Sequence, residues 1–160
     1  MGLVSRWILG SPKAPGQIDG MYVDIAAPSL CGLSVGEGRG AVEHWFGPPR
    51  SWLQARKGLL DYGHLGLQVR LGAGGLAGFY VFVTQGPNDP WTPFSGSWRP
   101  GKLAKPPTRD GFCDVLGDPK RRDEDETFVS LFWERRALIN ADFSLEGELQ
   151  ALWVDFDDSL

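Results

Sequence analysis

The chain states one pattern twice, about seventy residues apart. Phe46-Gly47-Pro48-Pro49 is answered by Leu116-Gly117-Asp118-Pro119, and Leu60-Asp61-Tyr62 by Leu131-Phe132-Trp133. The alternating run Leu67, Val69, Leu71 is answered by Ile139, Ala141, Phe143, and the closing run Leu76, Phe79, Val81, Val83 by Leu149, Leu152, Val154, Phe156. The offset drifts only from 70 to 73. A period of this length is too long for a solenoid repeat and suits one small supersecondary unit, duplicated so that two marginal half-cores are buried together.

Each unit reads as a short helix followed by an antiparallel meander. Val42, Trp45 and Phe46 fall at i, i+3, i+4, one apolar stripe of a two-turn helix that Gly47-Pro48-Pro49 stops. In the second unit Thr108 is the expected N-cap, Phe112, Val115 and Leu116 form the stripe, and Gly117-Asp118-Pro119 ends it. Strands are expected over 58–63, 65–71 and 76–84, and again over 127–134, 136–143 and 148–156, with turns at Gly72-Ala73-Gly74-Gly75 and Ser144-Leu145-Glu146-Gly147. A fourth strand per unit is sought upstream, at Met21 to Ile25 and at Trp91 to Trp98. The expected fold is α+β: two tandem pseudo-repeats, each a short helix packed on a three- to four-stranded antiparallel sheet. Residues 1–30 form an N-terminal extension or hairpin, with Val4 to Leu9 as its other strand. Unit one spans 31–84, a connector with six prolines spans 85–107, and unit two spans 108–160.

At 160 residues and 42% hydrophobic the chain suffices for one core, or for two small ones sharing an interface. No apolar run approaches a membrane span and Trp7-Ile8-Leu9 is too short for a signal-peptide core, so cytoplasmic residence without membrane association is expected. A net charge of −4 argues against nucleic acid as partner. Cys31 and Cys113 stand at non-equivalent places, which predicts reduced thiols. The run from Lys120-Arg121-Arg122 into Asp123-Glu124-Asp125-Glu126 reads as a solvated hairpin or loop.

Signals for catalysis, metals and cofactors are absent from the pattern. His44 and His64 are not repeated between units, and no nucleophile elbow or metal-ligand spacing occurs. Asp61 and Glu134, at similar strand ends, leave a carboxylate-based hydrolase as a remote alternative, with His64 as a further candidate. No cofactor, metal or catalytic residue is therefore assigned.

Strand alternation instead defines a surface. If Phe79, Val81 and Val83 point at the helix, Tyr80 and Phe82 point away, and the same parity turns Trp153 and Asp155 outward opposite Leu152, Val154 and Phe156. On neighbouring strands Gln68, Arg70, Asn140 and Asp142 face the same way. The predicted partner-binding set is Tyr80, Phe82, Asp142, Trp153 and Asp155, with Asp157 and Asp158 as a steering rim: aromatic anchors with a charged margin suit protein recognition. Trp91 and Trp98, in the connector, read either as a lid on the core or as further anchors. An alternative covering of this face by residues 1–30 stays open.

Gly32-x-Ser34, a helix ending in Phe/Leu-Gly-x-Pro, an aromatic strand, an alternating strand, a glycine turn and a final strand together resemble the helix-plus-meander module of the beta-lactamase inhibitor proteins and of the small lipoproteins of the outer-membrane barrel-assembly machinery. The resemblance covers Cys31 to Val83 and Phe94 to Phe156. It implies a tandem duplication that uses the helix-free sheet face to clasp another protein. The small, acidic chain also resembles the immunity proteins encoded beside polymorphic toxins. That resemblance implies a non-enzymatic monomer neutralising a cognate toxin with a basic surface, such as a nuclease or nucleotide-directed toxin, in a 1:1 complex. A small-ligand-binding or envelope-assembly module whose two units enclose a pocket is the alternative, for which a deep apolar cavity between the sheets is expected.

Overall fold

In a computed structural model, residues 19–156 are described. These residues organise as two sheets, three short α-helices and one 3-10 turn at Gly63–Leu65. The first helix, α1 (Arg39–Phe46), buries Val42 and Phe46 and ends at Gly47, whose left-handed φ of 79° a side chain would oppose. The matching helix in the second half is Arg109–Leu116, here α3. Thr108 caps it by accepting from Gly111 N–H (3.1 Å), Phe112 and Leu116 are buried, and Gly117 ends it at φ 79°. A five-residue helix between them, α2 (Trp52–Arg56), was not expected from periodicity. Ser51 caps it through the Gln54 N–H at 3.3 Å.

Two meanders follow the helices. The first consists of β3 (Leu59–Tyr62), β4 (Leu67–Gly72) and β5 (Gly75–Phe82). The second consists of β8 (Phe128–Glu134), β9 (Leu138–Ser144) and β10 (Leu149–Asp155). They join edge to edge through antiparallel β5 and β10, giving one seven-stranded sheet in the order β3-β4-β5-β10-β9-β8-β7. The outermost strand, β7 (Arg121–Glu124), is exposed along its whole length. It is the charged run of the sequence, held as a hairpin arm by backbone pairing to β8 rather than by burial, and its Arg121–Asp123 and Arg122–Glu124 pairs leave a charged edge unsuited to adding another strand.

The upstream strands are placed differently from expectation. β1 (Tyr22–Asp24) and β6 (Ser97–Arg99) do not extend their respective meanders; they pair with each other, in parallel, and with β2 (Ser29–Leu30) form a separate three-stranded sheet. Burial explains the choice. Val23, Leu30 and Trp98 are all buried, and Trp98 meets Phe112 of α3 (ring centroids 6.5 Å apart), so the small sheet lies on the helix side of the large one. Residues 19–30 therefore leave the opposite face open. The other proposed strand of an N-terminal hairpin, Val4 to Leu9, lies outside the described residues.

A single apolar core fills the space between the large sheet and the layer of helices and small sheet. Phe112 stands at its centre, in ring contact with Trp133 (5.8 Å) and Phe143 (5.3 Å) on the sheet's inner face. Each such side chain, fully enclosed, contributes about 1.5–3 kcal/mol relative to exposure. Two polar ties fix the helix ends to the sheet. Tyr62 Oη donates to the Gly47 carbonyl and Trp133 Nε1 donates to the Gly117 carbonyl, each at 2.9 Å. The two cysteines form no disulfide, Cys31 being buried and Cys113 half-buried. No helix among the described residues is long and apolar enough to cross a membrane.

Candidate functional site

The parity expected along β5 and β10 is realised. Phe79, Val81, Leu152 and Val154 are buried, while Tyr80, Phe82 and Asp155 are half-buried and Trp153 is 45% exposed. Antiparallel register then sets the outward residues in transverse rows, since side chains directly opposite one another share a face. One row runs Asp61, Gln68, Tyr80, Trp153, Asn140, Phe132, Arg121 across all seven strands. Its middle is aromatic: Tyr80 lies 5.9 Å from Trp153 and 4.6 Å from Phe82 between ring centroids. Trp91, from the connector, stacks on Phe82 at 4.3 Å and donates its indole N–H to the Thr84 carbonyl. The two connector tryptophans thus divide the roles that sequence left open, Trp91 extending the outward aromatic strip and Trp98 entering the core.

Two further rows flank this strip. In one, Arg70, Gly78 and Asp155 lie side by side on β4, β5 and β10. Gly78 carries no side chain to obstruct the guanidinium, so Arg70 crosses the strand and reaches the Asp155 carboxylate at 2.6 Å. In the other, Phe82, Ala151 and Asp142 lie side by side on β5, β10 and β9. Ser130 Oγ donates to Asp142, and no cationic side chain among the described residues pairs with this carboxylate. Tyr80 holds its proton more tightly than an ordinary phenol because it is half-buried and because the Asp142 charge stands nearby.

On the far side of Trp153 lies an open groove of about 730 Å³, bounded by Leu138, Asn140, Phe132 and Arg121. Its charges are internally matched. Lys120 pairs with Glu134, Arg70 with Asp155, and Arg121 both pairs with Asp123 and stacks 4.2 Å over the Phe132 ring.

The predicted site residues Tyr80, Phe82, Asp142, Trp153 and Asp155 are therefore brought together on one face, while Asp157 and Asp158 lie outside the described residues. Phe132 belongs to the same surface and was not predicted as partner-binding, and Trp91 joins it in the anchor role that the sequence left open beside that of a core lid. Parity could have found Phe132, between the inward Leu131 and Trp133; nothing local places Trp91. The carboxylates of the hydrolase alternative do not converge. Asp61 on β3 and Glu134 on β8 are separated by five strand spacings, roughly 24 Å at about 4.8 Å each, against about 5–9.5 Å for a glycosidase pair. His64 sits instead beside Asp61 and Arg50; burial first, and then Arg50, hold its pKa below the ordinary value, with Asp61 opposing.

No family model matches the chain, and no curated protein matches it. Among solved structures it is similar to the crystal structure of a DUF4309 family protein (YjgB) from Bacillus subtilis subsp. subtilis str. 168, at 14% identity and a TM-score of 0.48, over 78% of this chain and 82% of that one.

Proposed function

We propose that the chain is a non-enzymatic protein-binding module of the immunity or inhibitor kind, which covers the active site of a cognate, basic toxin domain with the outward face of its large sheet. The observation that carries this reading is the half-exposed strip Trp91, Phe82, Tyr80, Trp153, set on a helix-free face with matched and unmatched charges around it. Rigid aromatic anchors on a regular scaffold suit a hot-spot cluster, because they bury much area and lose little rotamer freedom. The groove beside Trp153 lies open on this face, a shape that suits contact with another surface. Residence in the cytoplasm and a 1:1 complex of monomers belong to the same proposal.

The reading takes the two halves as copies of one unit, and local geometry supports that. Both helices end at a glycine of φ 79°, with ψ of −167° and −164°, and each terminal carbonyl accepts from a ring on the first strand of its meander. Ala77 and Gln150, 73 positions apart, both stand at irregularities of their ladders. Each of their carbonyls accepts from the residue after the other half's final strand run, Phe156 N–H at 2.8 Å and Val83 N–H at 2.9 Å. At this offset Tyr80 is the counterpart of Trp153, the residue directly opposite it. A local two-fold axis then passes between these rings, so the aromatic centre of the face is also the centre of the duplication.

The test uses the full chain as tagged bait in its native cell, beside a Tyr80→Ala/Trp153→Ala variant shown by circular dichroism to be folded. Support requires a captured protein that loses its toxic or enzymatic activity in a purified 1:1 complex. Each substitution should weaken that complex by about 2 kcal/mol, or about 30-fold. Equal affinity for the wild-type chain and the folded double variant defeats the proposal.

A further inference from the structure

The two rows that flank the aromatic centre are images of one another under the local two-fold, and they differ in one respect. At the offsets of the duplication, Arg70 corresponds to Asp142, Gly78 to Ala151, and Asp155 to Phe82. In the first row the central residue is small, and an arginine from the chain itself lies across it to meet a carboxylate. In the image row the central residue is again small, Ala151, and a carboxylate again stands at one side. Here no arginine among the described residues pairs with it.

We infer that the notch over Ala151 receives an arginine side chain of the partner protein, its guanidinium packing on the aromatic rings of Phe82 and Trp153 and pairing with Asp142. The inference rests on the protein-binding reading and names the chemistry of its central contact. Four observations carry it. Ala151 is a methyl group among large neighbours: Phe82 and Asp142 lie directly beside it, and Trp153 is two residues along the same strand face. Asp142 is held in place by Ser130, itself 7% exposed, so the acceptor is positioned before a guest arrives. No described cation neutralises it, whereas the acids beside the groove beyond Trp153 are already paired, so the unmet charge is at the notch and not in the groove. Guanidinium-on-ring packing is also a contact this chain makes with its own residues, Arg121 over Phe132 at 4.2 Å and Arg99 over Tyr22 at 3.7 Å.

Arginine rather than lysine follows from the walls. A planar, weakly hydrated guanidinium stacks on rings and offers several donors to one carboxylate, while an ammonium keeps its hydration shell and gains less against aromatic surfaces. A basic partner also matches the chain's net charge of −4.

The experiment titrates the full-length, ¹⁵N-labelled chain with N-acetyl-arginine amide and, separately, N-acetyl-lysine amide, following the Trp153 indole and the Ala151 amide. Saturable shifts at both positions are expected with the arginine probe, with at least about tenfold weaker binding of the lysine probe. Asp142→Asn preserves an acceptor for Ser130 and should abolish the arginine response; Ala151→Leu fills the notch with Asp142 intact and should abolish it too. Absence of saturable shifts, equal response to both probes, or an unchanged response in either folded variant overturns the inference. Because the probe titration needs no partner, such a failure is distinct from failure of the capture experiment: loss of capture by Tyr80→Ala/Trp153→Ala would still stand for the protein-binding reading.

Discussion

Two tryptophans on neighbouring parts of one sheet, Trp133 and Trp153, should respond in opposite ways to truncation, because they point to opposite faces. Trp133 is 1% exposed, contacts Phe112, and donates its indole N–H to the carbonyl that ends α3. Trp133→Ala removes a large core side chain, at about 3–5 kcal/mol. It also strips the Gly117 carbonyl of its donor, at about 1–3 kcal/mol. The total approaches the whole stability of an ordinary domain, about 5–15 kcal/mol. Trp153, 45% exposed, has roughly half of its surface removed from water by Tyr80 and its strand neighbours. With about 150–250 Å² at stake for a fully buried ring, that half is worth about 2–3 kcal/mol at ~25 cal/mol per Å². Burial already present in the denatured chain lowers this further. Trp153→Ala should therefore leave a folded protein, with a urea midpoint reduced but a cooperative transition retained, whereas Trp133→Ala should be largely unfolded or molten at 25 °C. Urea titrations followed by far-ultraviolet circular dichroism measure both. A Trp133→Ala loss smaller than that of Trp153→Ala would refute the assignment of faces, and with it the outward site.

Two further perturbations address the joint and the acid limb. A Cβ at Gly78 would stand 2.7 Å from the Val154 carbonyl oxygen, so Gly78→Val should force β5 from β10, costing about 1–3 kcal/mol in a urea melt and breaking the Arg70–Asp155 pair. His64 has a folded pKa below its unfolded value of about 6.5, so the native state binds fewer protons there; its stability contribution is complete above that pH and declines as pH falls through it. His64→Gln should flatten the stability profile between about pH 6.5 and 5, above the range where ordinary carboxylates titrate, and a profile unchanged by the substitution would contradict the burial assigned to this ring.

What could be read from the sequence was set by local period. The stripes Val42, Trp45, Phe46 and Phe112, Val115, Leu116 declare their helices because spacing of three and four places them on one face, and both helices form where expected. Alternation along 76–84 and 148–156 fixed which side chains turn outward, and β5 and β10 keep that parity. The small helix α2 escaped notice although Ser51 and Gln54 stand at capping-box spacing, because five residues give no period to detect. Pairing of β1 with β6 was beyond reach for another reason: its partners are about 75 residues apart, and their attachment to the helix layer depends on Trp98 finding Phe112, which no local pattern encodes.

The edge-to-edge joint also explains why a surface could be placed without any catalytic motif. An antiparallel pair formed between the last strands of two meanders sets the end of each against the start of the other, so Tyr80 and Trp153 meet at the middle of the ladder. Inward residues there must repeat, since both halves bury into one core; outward ones have no such constraint and are free to differ. Arg70 facing Asp155 across Gly78, against Asp142 facing Phe82 across Ala151, is that freedom at its sharpest. One side of the centre satisfies its charge within the chain, and the other leaves a seated carboxylate beside aromatic rings. Folding gains little from a surface ion pair, so closing one side and not the other is the asymmetry on which the proposed arginine contact rests.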